Sequence, residues 1–460
     1  MSIFSRFADR NPMSALYQEA GLAADIRRSL NFILLGNIFG SMNGIICGGG
    51  TTAMIGLANQ LGAGDLALGI LASVPQIAAL FQIPFSMLVN RTHKRKRYML
   101  TYGILCRVLW LTFGFIPLLM PVAPPLLPLW LLIFLLGVSS CCGAFINVCW
   151  FPWLSDLLPM RIRGRWLSVR EMILSACNML FGLFSAYLLD TLPPENRYTV
   201  AFLIGGACGV VDMVCFGFCK EVYSAPPRKL HFSTLFKGVL KDKPFMRLVV
   251  MWTVWSFTTN LSGVYLFPYA MNELGLSFMQ VMIFGTMAAA LGTILMMPFW
   301  GRMQDQYGCR SVMLVAAAIS SVSPAFFLLS SPGSVWPLFL HNFLGTLFSS
   351  GTVLAVNSMQ LSYSPDEMRP SYIAVFSCIT SLCGGMLGSL AGGALLENWH
   401  AAGLFVGSFD RYQALILLSV VLRLGFALLL VPPLPNDREG GTPKDVLRHL
   451  NPFAALRKHL

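Results

Sequence analysis

Apolar runs long enough to cross a bilayer recur twelve times along this chain, and no other feature restricts its fold as tightly. A helix needs about 20 such residues to span the hydrocarbon layer, where each backbone polar group must be satisfied without water. The runs fall at Leu30 to Leu57, Leu66 to Val89, Tyr98 to Met120, Leu129 to Leu154, Trp166 to Leu189 and Thr199 to Cys219. They resume at Phe245 to Ala270, Phe278 to Trp300, Ser311 to Ser330, Trp336 to Leu361, Tyr372 to Leu396 and Tyr412 to Val431. Composition agrees: 56% of the residues are hydrophobic and 11% charged, against roughly 25% charged in soluble domains, and mean hydropathy is +0.67. The expected fold is an all-α polytopic membrane protein of twelve transmembrane helices. Met1 to Arg28 is polar and lacks an apolar core before a small-residue cleavage site, so no cleavable secretory signal is expected.

The twelve runs divide into two copies of six. Pro84-Phe85 and Met99-Leu100 bracket a short loop, and Pro298-Phe299 and Met313-Leu314 bracket its counterpart 214 positions later. Arg197-Tyr198 returns as Arg411-Tyr412 at the same offset, while Trp130 returns as Trp336, and Pro159, Arg163 and Trp166 as Pro365, Arg369 and Tyr372, 206 positions on. Such a repeat divides the chain into an N-terminal segment (1–29), a six-helix bundle (30–219), a basic linker (220–244), a second six-helix bundle (245–432) and a tail (433–460). Two parallel six-helix repeats are a transporter architecture, with the solute near the midplane.

A net charge of +12 raises the question of nucleic acid, but its distribution answers it. The N-terminal stretch, the loops around 91–97, 161–170, 220–247, 302–310 and 369, and the tail carry 28 of the 32 Lys and Arg. Loops retained in the cytoplasm keep such an excess, so both termini are expected there, in a multi-pass inner membrane of bacterial type with short outer loops. Membrane lipid, not nucleic acid, is the expected partner. The twelve Cys lie mostly within apolar runs without paired C-x-x-C spacing, the six His are scattered, and no G-x-x-x-x-G-K-[ST] loop occurs. Neither a metal nor another cofactor, nor ATP hydrolysis, is expected.

The loop between the second and third helices of each half resembles the signature of the major facilitator superfamily, and the resemblance extends over essentially the full chain. Gly301, Asp305, Gly308 and Arg310 match its Gly, Asp, Gly and basic positions; in the first copy Ser86, Asn90 and His93 replace the first three, and Arg91, Lys94 and Arg95 keep the basic part. The resemblance implies two pseudo-symmetric six-helix bundles and a cytoplasmic latch. In that latch Arg91 faces Asp156, and Asp305 faces the N-terminal end of the Trp166 helix, where a partial positive charge favours an anion. Arg163 and Glu171, with Arg170, are expected at the same mouth.

Ionisable groups inside a membrane are costly and are functional candidates. Arg107 and Asp212 each lie about 11–14 Å from the same membrane face at 1.5 Å per residue, so they are candidates to pair or to couple a proton. Arg423 lacks an obvious partner, and His341 is either a proton switch or a hydrogen-bonded structural group. The resemblance implies a cavity between the halves, with polar positions at Asn37, Ser41, Asn43, Gln76, Asn147, Trp150, Asn178, Trp252, Trp255, Asn260, His341, Asn342 and Asn357. Amides donate and accept while indoles stack on apolar ring faces, which suits a neutral or amphipathic organic solute. The small residues among them serve close helix packing equally well, as does the run Gly384, Gly385, Gly388, Gly392, Gly393.

The expected function is secondary or facilitated transport of such a solute by a monomer, coupled to H+ or Na+ or passive. The alternatives are export of drug-like or lipid-like molecules, against which the fifth helix lacks a Gly-Pro pattern, and a membrane-embedded enzyme or sensor.

Overall fold

The computed structural model describes residues 17–18, 21–82, 84–85, 88–89, 95–121, 124, 126–158, 160–221, 239–365, 369–405, 410–435 and 442–450. Its helices, in chain order, are α1 (Ala24–Cys47), α2 (Thr52–Gln60), α3 (Asp65–Ala78), α4 (Arg95–Phe113), α5 (Leu127–Leu157), α6 (Met160–Thr191) and α7 (Arg197–Gly217). They continue as α8 (Lys243–Gly263), α9 (Leu266–Asn272), α10 (Phe278–Tyr307), α11 (Cys309–Val322) and α12 (Trp336–Ser362). Then come α13 (Arg369–Ile379, continued by Thr380–Met386 and Leu387–Ala401), α14 (Arg411–Leu430) and α15 (Pro443–Leu450). No strand occurs among the described residues.

Nine of the described helical stretches are long and apolar enough to cross a membrane. The other three predicted runs also form helices: α3 is apolar but short, α4 is diluted by Arg95, Lys96, Arg97 and Arg107, and α8 by its Ser, Thr, Trp and Asn. The first run breaks at Gly48 to Thr51, where the Thr51 side chain caps α2. The fifth starts earlier than the apolar pattern suggested, since α6 opens at Met160 and its basic first turns are already helical. Two stretches depart from α geometry, Met282–Met287 within α10 and Thr380–Met386 within α13, each a single wide turn of the kind found often at functional positions.

The chain forms two compact units, one within residues 1–63 and 78–229, the other within 64–77 and 230–460. In the first, Leu30, Ile33, Trp153, Trp166 and Phe216 form a buried core. The indole of Trp166 donates to the Tyr17 hydroxyl at 3.1 Å, and burial pushes that phenol up to about 12, so it stays neutral. In the second unit Phe245, Leu248, Val249, Met313, Val356 and Phe376 form the core. There Tyr372, the repeat counterpart of Trp166, donates to Asp242 at 3.0 Å, and Asp242 in turn caps α8. In both units, then, an aromatic residue in the first two turns of the fifth helix holds the segment that leads into the first.

Most of α3 packs with the second unit, although the sequence boundaries assign the 66–89 run to the first bundle. The reason lies in its side chains, since Asp65, Gly69, Ser73 and Gln76 all meet groups of the second unit. In the same unit, close approach of α13 to α8 depends on missing side chains. A Cβ on Gly388 would stand 2.5 Å from the Phe257 carbonyl oxygen, and one on Gly392 2.1 Å from that of Leu261. Small residues that let backbones touch are a recurrent source of helix association in membranes.

Candidate functional site

Within the first unit, three helices meet at a buried charge. Arg107 of α4 donates through Nη1 to Asn43 Oδ1 of α1 at 2.5 Å and through Nη2 to Asp212 Oδ2 of α7 at 3.1 Å. Asn43 passes the chain on, donating to the Gly205 carbonyl at 2.9 Å. Gly36 and Gly40 lie against Asp212, and Gly209 lies against Arg107 and Asn43, so glycine makes room for the polar group on two of the three helices. Arg107 Nε and Asp212 Oδ1 are buried without a hydrogen-bond partner. Asn43, expected among the cavity positions, is bonded within this ion-pair network and is 1% exposed.

A second cation lies deeper in the helix than the sequence suggested. Because α6 starts at Met160, Arg170 sits about 15 Å along it at 1.5 Å per residue, where a start at Trp166 would leave it within the first turns. Its guanidinium lies 5.6 Å from the Trp150 ring, itself packed edge-on against Phe216, and it pairs with the exposed Glu171. Trp150 thus has a charged partner as well as an apolar one.

In the second unit the chemistry concentrates at the first turn of α3. The Tyr412 hydroxyl donates to Asp65 Oδ1 at 2.6 Å, Arg411 Nη1 lies 3.3 Å from Asp65 Oδ2, and the Arg411 guanidinium stacks 5.2 Å from the Tyr412 ring. Asp410 positions both partners by capping α14 with a capping box that includes Gln413. Farther along α3, Ser73 bonds Ser389 at 2.9 Å, Tyr265 donates to the Ser389 carbonyl at 2.5 Å, and Gln76 lies against Gly385 at the end of the wide turn in α13. Asp65 escaped sequence reading because it stands at a helix edge, where an acid passes as an ordinary first-turn residue. The repeated Arg-Tyr pair was a visible signal; its acceptor was not, because the position 214 after Asp65 is Met279.

Arg423 is held by backbone oxygen. Nε donates to the Thr258 carbonyl at 3.3 Å, and Nη2 to the Thr259 carbonyl at 3.1 Å and to Ser262 Oγ at 3.3 Å, while Ser419 shares the Thr258 carbonyl. His341 packs 5.4 Å from the Phe327 ring, with its Nδ1 buried and unbonded. Asn37, Gln76, Asn178, Asn260 and Asn342 are half-buried, and Asn147 and Asn357 are exposed. The amides of Asn260 and Asn342 return to their own helices at Ser256 and Leu338, as the Ser41 hydroxyl does at Asn37. Trp252 and Trp255 pack against the Phe245 core.

The signature loop resolves into distinct roles. Gly308 has φ +81° and ψ 159°, a conformation essentially reserved for glycine, and forms the one-residue turn between α10 and α11. Arg310 donates to the carbonyls of Pro432 and Leu434 just beyond α14. Asp305 is exposed, and a Cβ on Gly301 would meet open space. Arg95 is half-buried at the start of α4. Asn90 and Arg91 lie outside the described residues, as do the side chains of Asp156 and Arg163.

Residues 33–295 and 284–459 each match the family model of the Major Facilitator Superfamily. This chain belongs to that superfamily. Twelve transmembrane helices in two six-helix repeats are the superfamily's fold, and the chain is an integral membrane protein. Among relatives, it is 24% identical over 259 residues to the uncharacterized symporter YjmB of Bacillus subtilis, covering 52% of this chain and 54% of that one. It is 29% identical over 142 residues to a multi-drug resistance efflux pump PmrA homolog of Lactococcus lactis, covering 30% of this chain and 34% of the relative. The match thus spans about half the length of the first relative and a third of the second. Solved structures share the fold: an auto-inhibited POT family peptide transporter has a TM-score of 0.67 at 12% identity, covering 90% of this chain and 99% of that one. A bacterial homolog of the human lysosomal transporter Spinster has a TM-score of 0.62 at 17% identity, covering 88% and 96%.

Proposed function

We propose that the protein is a secondary carrier that moves a small organic solute across the membrane by alternating access. The superfamily match over nearly the whole chain carries this reading. The symporter name of one relative supports coupling to an ion, and the drug-efflux name of the other keeps export as the second reading. The solute is small and neutral or amphipathic, with the half-buried amides and Trp150 as its contacts; the Arg170 guanidinium on that ring adds a preference for an acceptor group beside an apolar ring. Both termini face the cytoplasm of a bacterial inner membrane, a reading supported by the Lys and Arg bias.

Two polar groups serve the cycle. Asp65, held by Arg411 and Tyr412, clamps the first turn of α3, and its release accompanies a change of access. Asp305 acts at the opposite end of its half as the latch acid, in the better-kept copy of the signature. The test is flux of labelled solutes in proteoliposomes with imposed pH and Na+ gradients. Accumulation driven by a gradient is expected, its direction separates uptake from export, and an absence of flux across a broad panel would refute the carrier reading.

A further inference from the structure

We infer that the outward face of α15 is a docking surface for anionic phospholipid headgroups. This eight-residue helix is amphipathic in a specific sense. Val446 is fully buried, and Leu450 packs with it against Trp300, Met303, Val312, Val315 and Ala316, near the turn at Gly308. That turn joins two membrane-crossing helices, so α15 lies against a membrane face of its unit. Residues three and four apart share a helix face, and Lys444, Leu447 and Arg448 have that spacing. All three are exposed: Leu447 at 48%, and the Arg448 side chain at 78%. On the other flank His449 meets Tyr307, with ring centroids 5.5 Å apart.

The one acid of the helix does not neutralise this face. Asp445 accepts from the backbone and hydroxyl of Thr442 in an N-terminal cap, which holds its carboxyl below the usual range. It reaches Arg448 only at 3.7 Å, and so exposed a pair contributes little. A basic face with an exposed leucine, at the membrane boundary, fits an anionic lipid: the apolar side chain enters the acyl boundary while the cations meet phosphate. The chain's own following residues are an unsuitable cover, because Asn451 to Leu460 carry Arg457 and Lys458 and would bring like charge. A second copy of α15 would do the same.

The full-length protein in lipid nanodiscs tests this by hydrogen exchange of the 443–450 amides. Each basic side chain near an anionic surface strengthens association about fivefold, so exchange is expected to slow about 25-fold when phosphatidylglycerol is added to phosphatidylcholine discs. In K444Q/R448Q the two discs should give the same rate, and unchanged exchange in α10 and α11 shows that the variant is folded. Equal rates for the native chain in both discs would overturn the inference and leave an acidic protein segment as the occupant of this face. Slowing by phosphatidylglycerol that persists in K444Q/R448Q would overturn it too. The outcome is independent of solute transport.

Discussion

Arg107 Nη2 donates to Asp212 Oδ2 across 3.1 Å, joining α4 to α7 within the first unit. Removing one partner strands the other. Asp212→Ala is expected to lose about 3–5 kcal/mol, since an uncompensated charge remains in an apolar setting. The double variant Arg107→Leu/Asp212→Leu should recover most of that loss. Denaturant or thermal unfolding of purified single and double variants reads the difference, and additive losses would refute the coupling.

Asp65 accepts from Tyr412 and forms an ion pair with Arg411, so its carboxylate anchors the first turn of α3. A hydrogen bond to a charged group is worth about 1.5–3 kcal/mol, and Asp65→Ala should therefore speed amide exchange in α3 about tenfold to a hundredfold. Tyr412→Phe, which keeps the ion pair, should produce the smaller change. Exchange in α3 that is indifferent to both substitutions would dismiss the clamp.

Glu273, beyond α9, has its carboxyl pushed above the ordinary range by partial burial first, then by the charges of Asp410 and Asp65. A folded-state pKa above the unfolded one means that the native protein binds more protons. This group therefore favours the fold below the usual glutamate pKa and loses that contribution as pH rises through the folded value. Glu273→Gln is expected to flatten the pH dependence of the unfolding temperature across that window and to raise stability at neutral pH. An unaltered slope would assign the dependence elsewhere.

Glycines of the same helical appearance should respond in opposite ways. No atom lies within 4 Å of a Cβ built on Gly44, so Gly44→Ala should be neutral or stabilise α1 by about 0.5–1 kcal/mol. Gly392→Ala meets the Leu261 carbonyl at 2.1 Å and should cost about 1–3 kcal/mol as the helices are forced apart. Thermal unfolding of the two variants provides the comparison.

Helix number and repeat were legible because a membrane demands long apolar runs and a duplication preserves landmarks such as Trp166 and Tyr372. Arg107 and Asp212 stood out for the same reason, as charges in an apolar background. The packing of α3 was not legible: hydropathy records that a segment is apolar, not which neighbours it selects, and Asp65 lay at an edge where acids are common. The start of α6 was placed six residues late because basic residues lower hydropathy and hide a helix start, although α6 was already formed at Met160. The amides were visible as residue types, but periodicity cannot tell that Asn43 bonds Arg107 while Asn260 bonds its own helix.

Where Gly388 and Gly392 stand against Phe257 and Leu261, α8 and α13 meet backbone to backbone. No rotamer lies between them to absorb a displacement, so a push on one helix is delivered whole to the other. The pair acts as one beam, and the wide turn at Thr380–Met386 belongs to it, because Gly384 there stands just as close to the Thr253 carbonyl and to Ser256 of α8. A solute that leans on that turn would be felt along the whole beam.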